Sequence, residues 1–80
     1  MKYKQYSVVK LIKINKQFDE NDLSLGNRAP QIGDVATIVE VYDTPGLGYE
    51  LECSDKNGIT EWLVSFSSED AEFELINEII

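Results

Sequence analysis

The residues able to do chemistry are few in kind. The 80-residue chain has no histidine, so the side chain that most often moves protons near neutral pH is missing. Ser-His and Cys-His nucleophile pairs are excluded with it. The one cysteine, Cys53, stands between Glu52 and Ser54, with no adjacent basic residue to lower its pKa. It reads as a small strand residue, not a nucleophile. With one cysteine and no histidine an ordinary zinc site is excluded. Fifteen carboxylates allow many acid–base pairs, but no spacing singles one out. Asp19-Glu20-Asn21-Asp22 offers ligands for a hard cation but lacks the Asp-x-Asp-x-Asp-Gly spacing of a calcium loop, so a solvated loop is the simpler reading. Pro45-Gly46-Leu47-Gly48 has no following Lys-Ser/Thr and reads as a turn, not a phosphate cradle. The expectation is a chain with no cofactor, no metal and no enzymatic activity.

Charge is the more informative feature. Seven basic against 15 acidic residues give a net −8. The signs are segregated. Residues 1–16 hold Lys2, Lys4, Lys10, Lys13 and Lys16 and no acid, a net +5. In residues 17–80, Arg28 and Lys56 stand against all 15 acids, a net −13. Lys2, Lys4, Lys10 and Lys13 alternate with Tyr3 and Tyr6, the mixture that holds single-stranded RNA. The acidic remainder would repel a phosphate backbone, so nucleic acid is the weaker reading. A negative surface aids solubility by itself. It also steers and selects a basic protein partner.

The size sets further limits. At roughly 100–200 residues per domain, residues 1–80 form one small domain. A chain this short buries only about 60% or slightly more of its unfolded surface, which favours a binding surface over a deep pocket. No run reaches the ~18 apolar residues of a spanning helix, and the Val8–Ile12 stretch is broken by Lys10. A lone cysteine excludes an internal disulfide and suits a reducing compartment. A cytoplasmic location is expected.

The elements that must position these residues are short strands. Tyr6–Lys13 is the first run. A polar stretch from Asn15 to Ile32 follows, long enough for a functional loop. Gly33-Asp34 opens the strongest run, Val35–Tyr42, rich in β-branched residues. Asp43–Gly48 breaks it. Tyr49–Cys53 alternates, with Tyr49, Leu51 and Cys53 on one face and Glu50 and Glu52 on the other. Thr60–Phe66 is the fourth run. Ser67-Ser68-Glu69-Asp70 reads as one helical turn with a serine cap, and Phe73–Ile76 as a last strand. Five short strands in this order predict an all-β, five-stranded antiparallel barrel of the SH3 kind.

The place of Trp62 depends on a hairpin. A three-residue loop Lys56-Asn57-Gly58 sets Asp55 opposite Ile59. Carried along the strands, that register pairs Leu51 with Leu63, Glu52 with Trp62 and Cys53 with Glu61, and puts Trp62 among acids. A shift of one residue moves Trp62 to the Leu51/Cys53 face. In the first case Trp62 is an interface anchor. In the second it is core, which suits the usual burial of Trp.

The segments Tyr6–Leu11, Gly33–Tyr42, Tyr49–Cys53 and Asp55–Thr60 together resemble a family of small bacterial domains of unknown function. Members look like one SH3-type barrel whose second strand opens Gly-Asp-x-Gly-Thr-Val-Val. Here Ala36 stands at the second glycine, the 15–32 loop is longer, and Glu61-Trp62 replaces small apolar residues. Some such proteins look like toxin-immunity proteins. The resemblance implies a non-enzymatic immunity (antitoxin) protein that binds a basic toxin, a nuclease for preference. Nucleases are commonly basic because they hold a polyanion. The expected contact residues are Glu50, Glu52, Glu61, Trp62, Glu69, Asp70 and Glu72, then Asp19, Glu20 and Asp22 of the loop. The alternatives are an SH3-like adaptor or subunit module that binds another protein, and an RNA-binding barrel.

Overall fold

The computed structural model describes residues 3–44 and 46–77, so Lys2, Pro45 and the tail after Asn77 lie outside the described residues. Six strands form one antiparallel sheet: β1 (Val8–Ile14), β2 (Leu23–Gly26), β3 (Val35–Tyr42), β4 (Gly48–Ser54), β5 (Thr60–Ser67) and β6 (Ala71–Asn77). Their order across the sheet is β2-β5-β4-β3-β1-β6. Among the described residues no ladder joins β2 to β6, and the sheet is not closed. The all-β expectation holds. The strand count of five does not, because the long loop contains β2.

The sheet nevertheless curls on itself. Four ladder steps separate β5 from β6, a span of about 19 Å in a flat sheet at ~4.8 Å per strand. Yet the Phe66 ring on β5 and the Phe73 ring on β6 lie 5.7 Å apart. Phe73 also meets Tyr49 of β4 at 6.2 Å. The concave side thus encloses one core built from alternate residues of each long strand. Val9, Leu11, Ile38, Leu51, Trp62 and Val64 are all fully buried there. Phe18, from the loop, covers Phe66 at 4.8 Å. Before β1, Tyr3 closes the core from the far side: its hydroxyl donates to the Phe73 carbonyl (3.0 Å), and its N–H donates to the Tyr49 hydroxyl (3.1 Å).

Bulges decide which side chains face outward. On β3 the register slips between Ile38 and Glu40, leaving Val39 as an extra residue. Without the slip Glu40 would oppose the buried Tyr49; with it, Glu40 opposes Glu50 on the outside. The Gln5 side chain donates to the Val39 carbonyl at 2.9 Å, so a bulged backbone group finds a partner. A second slip sits in the β4–β5 hairpin. Its turn is the expected one: Asp55 N–H donates to Ile59, Gly58 N–H donates to Asp55, and Gly58 has φ 81°. Glu61 is then bulged out, because Ser54 opposes Thr60 while Cys53 opposes Trp62. The expected pairings Leu51–Leu63, Glu52–Trp62 and Cys53–Glu61 are corrected to Leu51–Val64, Glu52–Leu63 and Cys53–Trp62. The turn was legible and the bulge beyond it was not.

Two local expectations also change. Ser67–Asp70 is not a helical turn. Ser67 ends β5, and the Asp70 carboxylate accepts from the Ser67 N–H (2.9 Å), tying off a tight turn. The short 3-10 helix lies instead at Glu20–Asp22, where Asp19 and Asp22 form a capping box.

Candidate partner-binding surface

Arg28, Asp34, Glu61 and Trp62 form the densest polar cluster. Two guanidinium nitrogens of Arg28 reach the two Asp34 oxygens at 2.8 and 3.1 Å, and its Nε donates to Glu61 at 3.0 Å. Asp34 also accepts from Trp62 Nε1 (2.8 Å) and from the Gln31 N–H (2.9 Å). Burial alone would raise the Asp34 pKa, but the Arg28, Gln31 and Trp62 hydrogen bonds outweigh it and hold the carboxyl below its usual range. Arg28 is shifted up, by Asp34 first and Glu61 second. The cluster fastens the end of the long loop to the bulge of β5. Its donors and acceptors are spent on one another, so it is a structural clamp. Burial, aided by the Asp34 charge, pushes the neighbouring Cys53 thiol up and keeps it protonated.

The clamp contains two of the expected contact residues. Trp62 is fully buried, with its N–H turned to Asp34, and is not available to a partner. Glu61 already holds Arg28.

The basic first segment is also not a free strip. The β1–β6 register sets Lys10 opposite Glu74, and Lys13 lies 3.6 Å from Glu72. Lys16 meets Asp22 at 3.5 Å. Exposed pairs of this kind add little stability, but they cancel the local field. The segregation seen along the chain is thus partly undone in space.

The cancellation leaves the other half of the outer face acidic. Strands β3, β4 and β5 contain no lysine or arginine. Their outward positions carry Glu40, Glu50 and Glu52. Glu40 and Glu50 are directly opposite each other, and like charges so placed are destabilising. Glu52 accepts from the Thr60 hydroxyl. Tyr42 is 40% exposed, and its hydroxyl lies 3.4 Å from Glu50 Oε1. Desolvation first, then the Glu50 and Glu40 charges, raise the Tyr42 pKa, so the phenol stays neutral. Of the expected residues, Glu50 and Glu52 belong to this face. Glu40 and Tyr42 were missed, because their outward placement depends on the Val39 bulge.

The remaining expected acids are dispersed. Glu69 and Asp70 lie in the β5–β6 turn, Glu72 is on the edge strand β6, and Asp19, Glu20 and Asp22 belong to the 3-10 turn of the loop. Asp22 accepts from the Asp19 N–H and Asp19 accepts from the Asn21 N–H, so both are occupied in capping this turn.

Among the depressions of the described surface are these three. One of about 380 Å³ is lined by Tyr3, Leu47, Tyr49 and Phe73, with Ser68 and Glu72 at its polar side. A second of about 480 Å³ lies between Tyr3–Gln5, Val41 and Asp43. The third, about 330 Å³, is lined by Tyr42, Leu47, Gly48, Ser65, Phe66 and Ser67 among others, next to Glu50. Among the described residues no group of three or more His, Cys, Asp or Glu is placed to hold a metal ion. No described helix is long and apolar enough to cross a membrane. No protein-family model matches the chain, and neither a curated protein nor a solved structure matches it.

Proposed function

We propose that this chain is a non-enzymatic immunity protein that binds and neutralises a basic toxin, a nuclease being the class best suited to it. The observation that carries the reading is the cross-strand Glu40–Glu50 pair, on strands β3 and β4 that contain no lysine or arginine. Such a pair costs stability in the free protein and gains it back when a cation settles on it. A nuclease active site presents such cations, because it is built to hold phosphates. The acidic protein is steered to that site and covers it.

The fold reading goes with this. The strand succession, the long loop after β1 and the curl that brings β5 to β6 support an SH3-like barrel, open between β2 and β6. The likeness of Gly33–Tyr42 and Tyr49–Cys53 to small bacterial domains supports it from the residues. The pairing of Lys10 with Glu74 and of Lys13 with Glu72 favours a protein partner over the RNA-binding alternative. An adaptor reading keeps one observation, the aromatic hollow of Tyr3, Tyr49 and Phe73.

Co-expression with the product of the adjacent gene tests the proposal. That product should arrest growth alone and be tolerated with this protein. A neighbour that is harmless and does not bind removes the reading.

A further inference from the structure

The third hollow has a shape that net charge does not explain. Tyr42 opposes Gly48 across β3 and β4, and its ring passes over the glycine to reach Glu50. A Cβ at position 48 would lie 3.9 Å from that ring and 3.1 Å from the Phe66 carbonyl. The floor is therefore bare backbone, with the Tyr42 ring along one wall and Ser65 and Ser67 along another. No carboxylate lines the hollow itself, but two lie next to its lining: Glu50, opposite Ser65 and bonded to the Tyr42 hydroxyl, and Asp70, which accepts from the Ser67 N–H.

We infer that this hollow receives an arginine side chain of the partner. The inference rests on the acidic-face reading proposed above and names the group that the face selects. At about 330 Å³ the space is at the small end of ligand sites, of order 300–1,000 Å³, and fits one side chain better than a small molecule. An aromatic wall favours a cation, and a flat one favours guanidinium over ammonium. The Glu50 carboxylate, next to Ser65 and Tyr42 of the lining, is the group to take a guanidinium fork in two parallel hydrogen bonds. Glu40, opposite Glu50, adds charge that no basic residue of β3, β4 or β5 offsets.

Titration of the ¹⁵N-labelled protein with deca-arginine and with deca-lysine at low salt tests this. Deca-arginine should shift the amides of Tyr42, Gly46, Gly48, Ser65 and Ser67, and should bind more tightly than deca-lysine. Tyr42→Ala, checked by its thermal melt, should weaken deca-arginine by about 3- to 30-fold and deca-lysine by less. Should the variant not fold, the amide map and the arginine-to-lysine ratio of the wild type decide alone. Equal binding of both peptides, or shifts confined to residues 69–72 or 19–22, overturns the arginine hollow and leaves the acidic-face reading standing. No binding of either peptide overturns both.

Discussion

Asp34 carries more of the structure than its position in the sequence announces. It receives two nitrogens of Arg28, the indole N–H of Trp62 and a backbone N–H. The Gly33-Asp34 start of a strand was legible, and so was the ambiguity of Trp62. That the two residues bond was not, because 28 positions separate them and the contact needs the curl of the sheet. Because the Asp34 pKa is lowered on folding, its contribution is fully present above the unfolded value of about 3.9 and is lost as pH falls below it. Asp34→Asn should therefore remove part of the acid-side loss of stability while lowering stability at pH 7 by about 2–3 kcal/mol, the charged pair being partly exposed. Urea titrations of both proteins at pH 3 and pH 7 measure it, and an unchanged pH 7 stability would contradict the clamp.

At the scale of elements, alternation and β-branching made the five long strands readable, as in Tyr49–Cys53. The short β2 was not, since Leu23-Ser24-Leu25-Gly26 is only four residues in a polar stretch. Its docking depends on one glycine. Gly26 has φ 122°, and a Cβ there would fall 2.4 Å from the Glu61 carbonyl oxygen and 2.6 Å from Trp62 Cα. Both obstacles are backbone and neither can swing aside. Gly26→Ala should cost about 2–4 kcal/mol, combining overpacking with left-handed strain. Hydrogen exchange should show lost protection in residues 23–27 before the β3–β4–β5 hairpins are affected. Uniform loss across the sheet would instead mean that β2 is integral to the cooperative core. The bulges at Val39 and Glu61 were also illegible. Each adds one residue without a turn signal, and each reverses the faces of everything beyond it.

For the whole molecule, folding redistributes the charge. Lys10, Lys13 and Lys16 meet acids of β6 and of the loop, and Glu40, Glu50 and Glu52 stand on β3 and β4, strands without a basic residue. The acidic bias was legible from counting; its location required Glu40, which the bulge turns outward. If the Glu40–Glu50 pair is kept for binding, relieving it should stabilise the free protein. Glu40→Gln should raise the stability by a few tenths to about 1 kcal/mol in low salt, a gain that fades as salt is added. A lower midpoint in thermal melts would show that Glu40 has a supporting role instead. The most direct test of the account is the affinity for the adjacent gene's product, measured by calorimetry for wild type and for Glu40→Gln/Glu50→Gln between 50 and 500 mM salt. The wild type should weaken by about tenfold or more over that range, and the double variant should bind more weakly and lose most of the salt dependence. Wild-type affinity that ignores salt, or a double variant that binds as tightly as wild type, would contradict it.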